Sequence, residues 1–73
     1  LKIIGYTDND GSTDDNISLS KRRAESVQNN LKKNYSIADF RIQTDGKGES
    51  EPVASNDSEA GKAKNRRVEF IKL

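Results

Sequence analysis

Apolar residues come in short groups set between long polar stretches. Residues 1–6, LKIIGY, are nearly continuous in hydrophobicity and partly β-branched. That pattern predicts a strand placed centrally in its sheet and covered on at least one face. Residues 7–18 are dominated by Asp, Asn, Ser, Thr and Gly and read as a loop. Ala24, Val27 and Leu31 then recur at helical spacing, with Gln28, Asn29, Asn30, Lys32 and Lys33 on the outer side. Ser20 is the expected N-cap of that helix, with Leu19 before it and Ala24 at the staple position, and Asn34 is the expected stop. Residues 40–44 alternate around Phe40, Ile42 and Thr44, which predicts a half-buried strand. Gly46, Gly48 and Pro52 make 45–55 a loop with turns, long enough for so small a chain to suggest a functional role. Asn56 and Glu59 form a capping box for a short helix through Ala60 and Ala63 to Lys64, weakened by Gly61. Residues 67–72 alternate again and predict a final strand with Val68 and Phe70 toward the core. The expected order is strand, helix, strand, helix, strand, the first two strands parallel and joined by a right-handed crossover.

Composition narrows the picture. The 73 residues make one small domain, 1–73, and with only 30% of them apolar its core is thin. A formal net charge of +1 argues against a general polyanion binder, so no nucleic-acid partner is expected. There is no cysteine, hence no disulfide framework and no thiolate zinc site. No apolar stretch approaches the length of a membrane-spanning helix, and no signal-peptide pattern is present. The absence of Met at position 1 is expected of a fragment whose targeting information lies elsewhere.

Charge then points to candidate chemistry. Lys21, Arg22 and Arg23 fall in the first turn of the expected helix, where the dipole disfavours each cation by a few tenths to about 1 kcal/mol. An anionic ligand is one reason to keep an arginine there, since a helix start and a guanidinium aim at it together. The acidic loop just upstream, Tyr6-Thr7-Asp8-Asn9-Asp10-Gly11, suits a cation on the same ligand. Without histidine, serine–histidine catalysis and most zinc hydrolysis are out, and Ser20 and Lys21 are neighbours that do not face each other. The chain is not expected to be an enzyme. Asp8-Asn9-Asp10-Gly11 resembles the middle of an EF-hand loop, but Tyr6 stands where the first acid belongs and Ile17 where the closing Glu belongs. A looser calcium site over Asp8, Asn9, Asp10, Asp14 and Asp15 remains an alternative. A further reading is a site for a small zwitterion, with Asp8 receiving an ammonium and an arginine taking a carboxylate. Spacing alone equally allows Asp8 to cap a turn and the arginines to be solvated.

The same residues fall in a recognisable order. Gly5-Tyr6-Thr7-Asp8 with Gly11, then Asn16, Leu19-Ser20, Arg23-Ala24, Val27 and Leu31, opens it. Gly46-Lys47-Gly48-Glu49 with Pro52, Ala54, Asn56-Asp57, Gly61, Ala63 and Asn65-Arg66-Arg67-Val68-Glu69 completes it. Together they resemble the OmpA-like domain over essentially the whole chain. That family includes periplasmic domains of OmpA, of the peptidoglycan-associated lipoprotein and of the flagellar stator protein MotB. Tyr6 stands where the family usually has His, and Lys62 where it commonly has Arg. The resemblance implies an α+β fold: a β-α-β-α-β sandwich of a small mixed sheet with helices on one face, lacking the first strand and helix of the full domain. It also implies non-covalent binding of peptidoglycan through the diaminopimelate of the stem peptide, without metal or other cofactor. Carried over by position, Asp8 holds the ammonium and Arg23 the carboxylate, while Thr7, Asn16, Asn65, Arg66 and Arg67 line or brace the pocket. Arg22 competes for the carboxylate, but Arg23 matches the family's Arg-Ala pair. The implied setting is the periplasm of a Gram-negative cell, attached to the outer membrane through a membrane-anchored parent protein. A structural or protein-interaction module of the same fold without ligand binding is the other implied possibility. Because the final strand of the family lies beside the absent first strand, an exposed sheet edge is expected, covered by a dimer, swapped or partner contact.

Overall fold

The computed structural model describes residues 1–72. Its elements are β1 (Lys2–Tyr6), α1 (Thr13–Tyr35), a 3-10 turn (Asp39–Arg41), β2 (Gln43–Gly48), α2 (Glu59–Asn65) and β3 (Val68–Ile71). The sheet order is β2-β1-β3, with β1 parallel to β2 and antiparallel to β3. The nearly continuous apolar run of β1 is therefore explained by its central place, with Ile3 and Ile4 both buried although they point to opposite faces.

The long helix departs from the sequence expectation. Its N-cap is Ser12, whose hydroxyl accepts from the Asp15 N–H at 3.1 Å, not Ser20. Asp14 and Asp15 occupy the first turn and Lys32 and Lys33 the last, so both ends match the dipole. Lys21, Arg22 and Arg23 lie in mid-helix, and the expected misfit of cations at a helix start does not exist. Residues 13–18, expected as loop, are helix, and apolar periodicity does not reveal them because the inward positions at the start of α1 are small or polar. Asn16, Ser20 and Ala24 form the inner stripe, while Ile17 faces out at 42% exposure.

That stripe lets α1 lie directly on the sheet. A Cβ at Gly5 would collide with the Ser20 carbonyl, and one at Gly46 with the backbone of Lys21. The Ser20 hydroxyl donates to the Ile17 carbonyl at 2.8 Å and accepts from the Gly48 N–H at 2.9 Å, joining α1 to β2. The core holds Ile3, Ala24 and Ile42, with Leu1, Val27, Leu31, Ile37 and Val68 packed against it.

The later elements are shifted too. Phe40, expected in a half-buried strand, sits in the 3-10 turn and is 87% exposed. The buried Ile42 is the anchor, and β2 begins after it and runs through Gly46, Lys47 and Gly48, residues expected in a loop. Gly46 marks the close approach of helix to strand, while Gly48, at φ 57°, both faces α1 and opens the turn closed by the Ser50 N–H donating to the Lys47 carbonyl at 3.2 Å. The cap of α2 is Ser58, which accepts from the Gly61 N–H at 3.0 Å, not Asn56. Gly61 is buried where a Cβ would collide with the Ser55 carbonyl, so it serves packing. In β3, Val68 reaches the core as expected, but Phe70 is 57% exposed. Phe70 pairs with Ile3 and shares its face, yet no described residue buries it there. The outer edges of β2 and β3 are unpaired among the described residues.

Candidate functional site

The site is built at the end of β1. The Thr7 N–H donates to the Gly48 carbonyl at 2.9 Å, extending the β1–β2 pairing one step beyond Tyr6. This holds Asp8 at the mouth of the loop leading into α1. Thr7 is buried, and its hydroxyl donates to the Asp8 carbonyl at 2.8 Å. Asp8 is only 6% exposed. Its Oδ1 accepts from the Asp10 N–H at 3.0 Å and its Oδ2 from Arg66 Nη1 at 2.8 Å. The Asp10 amide first, and then the Arg66 guanidinium, hold the Asp8 carboxyl below the usual carboxylate range against the opposing effect of burial. Asp8 is therefore an ionised, sheltered carboxylate at neutral pH.

Asn16, on the first turns of α1, is buried and bridges two loops. Its amide donates to the Asp8 carbonyl at 3.3 Å and to Glu49 Oε1 at 3.5 Å. Thr13 donates to the same Glu49 oxygen at 3.2 Å. Beyond Asp8, Asp10 pairs with Lys62 at 3.0 Å, fastening the loop to α2.

The Asn65-Arg66-Arg67 segment divides into three tasks. Asn65 is fully buried at the end of α2, where its Oδ1 accepts from the Val53 and Ala54 N–H groups at 2.8 and 3.0 Å. Its Nδ2 donates to the Ala54 carbonyl at 3.0 Å and to Asn56 Oδ1 at 2.9 Å. Asn65 thus shapes the 49–58 loop and has no direct contact with Asp8. Arg66 is the cation on Asp8. Arg67 lies over the Tyr6 ring, 3.8 Å from its centroid, and donates to Glu69 at 2.6 Å and to the Glu51 carbonyl at 3.0 Å. Tyr6 is buried beneath it, and its hydroxyl donates to Glu51 Oε2 at 3.4 Å. Burial, then Glu69 and Glu51, push the Tyr6 hydroxyl above its ordinary value.

Arg23 stands apart from this network. It is half-buried on the middle of α1, seven positions after Asn16 and so on nearly the same helical face, about 10 Å along the axis. Among the described residues its side chain makes no hydrogen bond or ion pair. Lys21 and Arg22 are exposed, and Arg22 only folds back to the Ser18 carbonyl at 3.4 Å. The structure therefore brings together Thr7, Asp8, Asn16 and Arg66 by direct contact, and leaves the Arg23 side chain without a partner among the described residues. Glu49, Lys62 and the Tyr6–Arg67 stack belong to the same end of the molecule; of these only Arg67 was given a place at the pocket from sequence. Glu49 and Lys62 lie 41 and 54 positions from Asp8, and no local spacing signal connects them. Asp8 and Asp10 are committed to Arg66 and Lys62, and Asp14 and Asp15 lie exposed on the first turn of α1. Among the described residues no three acidic side chains gather as metal ligands.

Comparison with known proteins adds a family. The chain is 46% identical over 70 residues to the probable lipoprotein YiaD of Escherichia coli strain K12, a match covering 96% of this chain and 32% of that protein. It is 48% identical over 71 residues to the peptidoglycan-binding protein ArfA of Mycobacterium bovis, covering 97% of this chain and 22% of that protein. Its fold is similar to the crystal structure of the peptidoglycan-associated lipoprotein from Burkholderia pseudomallei, with a TM-score of 0.87 and 34% identity, covering 92% of this chain and 56% of that one. The chain spans less than a third of those two relatives and little more than half of the solved chain. The OmpA family profile matches residues 1–66, and with the α+β fold and mixed sheet described above, the chain belongs to the OmpA family.

Proposed function

We propose that this chain binds peptidoglycan non-covalently, through the zwitterionic diaminopimelate of the stem peptide. In this reading Asp8 receives the ligand's ammonium and Arg23 its carboxylate. Thr7 and Asn16 hold the Asp8 backbone, Arg66 sits on the Asp8 carboxylate, and Asn65 and Arg67 brace the loops on either side. The observation that carries it is the pairing of two unlike states. A sheltered carboxylate is kept ionised at the end of the central strand, while the side chain of a half-buried arginine on the adjoining helix has no partner among the described residues. A zwitterion offers an ammonium to the Asp8 carboxylate, in competition with Arg66, and a carboxylate to Arg23, and charge-assisted contacts of this kind are the strong ones. Binding of this sort needs no catalytic group. The relatives named as a lipoprotein and as peptidoglycan-binding or peptidoglycan-associated proteins support the same reading and an envelope setting, with the parent protein attached to the outer membrane and the domain in the periplasm. The unpaired edge of β3, with Phe70 and Ile71 exposed on it, is the place where a second copy or a partner strand would attach.

Co-sedimentation with purified sacculi tests the proposal. The chain is expected to pellet with sacculi and to be released by excess free diaminopimelate. Failure to pellet under any salt condition would instead favour a structural or protein-interaction module of the same fold.

A further inference from the structure

The Asp8 carboxylate already carries a cation. Arg66 Nη1 lies 2.8 Å from Oδ2, while Oδ1 is taken by the Asp10 N–H. Arg66 caps the end of α2 through its backbone, and its side chain is 40% exposed. Asp8 is the only partner of that side chain among the described residues. Its neighbour Arg67 is held differently, by the Tyr6 ring, Glu69 and two backbone carbonyls. Swinging Arg66 away therefore breaks one ion pair and disturbs nothing else, whereas Arg67 cannot move without releasing β1, β3 and the 49–58 loop.

A guanidinium and a primary ammonium compete for the same carboxylate oxygen. We propose that Arg66 is a displaceable internal cation that occupies the ammonium subsite until an amine-bearing ligand replaces it. The proposal rests on the reading of Asp8 as the ammonium acceptor. It makes Arg66 a determinant of affinity and of ligand selection. An ammonium exchanges one cation for another and leaves the carboxylate paired. An acylated amine has no charge to offer, and displacing Arg66 with it would leave a sheltered carboxylate without a counter-charge. The site is thereby restricted to ligands whose amine is free. Lys62 does not take over this role, because its ammonium is 3.0 Å from Asp10 and paired there.

Calorimetric titration of the wild-type chain, Arg66→Gln and Arg66→Lys tests this, with meso-diaminopimelate and its di-N-acetylated form as probes. Arg66→Gln is expected to bind diaminopimelate about fivefold more tightly, equivalent to about 1 kcal/mol, because no internal cation must leave first. Arg66→Lys restores a cation and is expected to return toward wild-type affinity. The acetylated probe is expected to bind none of the three. Equal or weaker binding by Arg66→Gln overturns the proposal and makes Arg66 a ligand contact or a brace. Binding of the acetylated probe by the wild type as tightly as the free amine overturns the selection. If none of the three chains binds diaminopimelate, the ammonium reading of Asp8 fails, and the role of Arg66 falls with it.

Discussion

Asp8 is the residue through which pH should reach this fold. Its carboxyl is held below the ordinary range by the Asp10 amide and by Arg66, so the unfolded chain takes up a proton before the folded one does. The stability it contributes is present above about pH 4 and is lost as pH falls through the folded value. Urea unfolding measured from about pH 5 down to about pH 3 should therefore show a falling midpoint, and Asp8→Asn should flatten that fall. An identical slope in the variant would assign the acid sensitivity elsewhere. Asn65 acts differently, since it is a fully buried amide with four hydrogen bonds to loop groups. Asn65→Ala leaves the Val53 and Ala54 N–H groups without their acceptor and should destabilise the chain by about 3 kcal/mol in the same assay. A loss under about 0.5 kcal/mol would mean that water replaces the amide.

The helix–sheet contact decides where the site residues stand. α1 runs 23 residues, about 35 Å, and lies on β1 and β2 at a distance that admits no side chain at Gly5 or Gly46. Gly5→Ala should push α1 off the sheet and cost about 3 kcal/mol in urea unfolding; a neutral result would show that the helix slides without penalty. This contact also explains what was legible in the chain. The apolar run at 1–6 announced β1, because burial there follows hydrophobicity, and the alternation over 67–72 announced β3, although only Val68 of its apolar residues reaches the core. The start of α1 was hidden, because its inner stripe is Asn16 and Ser20 while Ile17 points outward, which inverts the apolar periodicity on which helix reading depends. Gly46 and Gly48 were hidden for a related reason. They read as turn residues, yet both lie in a strand that α1 approaches closely, and only Gly48 also opens a turn. At the site, the order of motifs pointed to Asp8, Asn16 and the Asn65-Arg66-Arg67 segment. That Arg66 would reach Asp8 while Arg67 turned to Tyr6 depends on how α2 ends, and no spacing along the chain contains that information.

At the scale of the whole molecule, one end is a network of polar contacts. The loops after β1 and β2 and the end of α2 are tied together by Asp8–Arg66, Asp10–Lys62, Asn16–Glu49 and Tyr6–Arg67. The sheet edge at β3 instead presents Phe70 and Ile71 with an unpaired backbone. Sedimentation velocity over a wide concentration range should show self-association that Phe70→Glu suppresses; a monomer at every concentration would contradict a role for that edge in contacts between copies. The central claim concerns the polar end of the molecule, where Asp8 and Arg23, the latter without a side-chain partner among the described residues, are read as the two halves of a zwitterion site. The most direct test is calorimetric titration of a diaminopimelate-containing muropeptide into the wild-type chain, Asp8→Ala and Arg23→Ala, each first shown to be folded. Binding by the wild type, with affinity reduced at least about tenfold in each variant, or about 1.4 kcal/mol, is the predicted result. Wild-type affinity retained in both variants would contradict it.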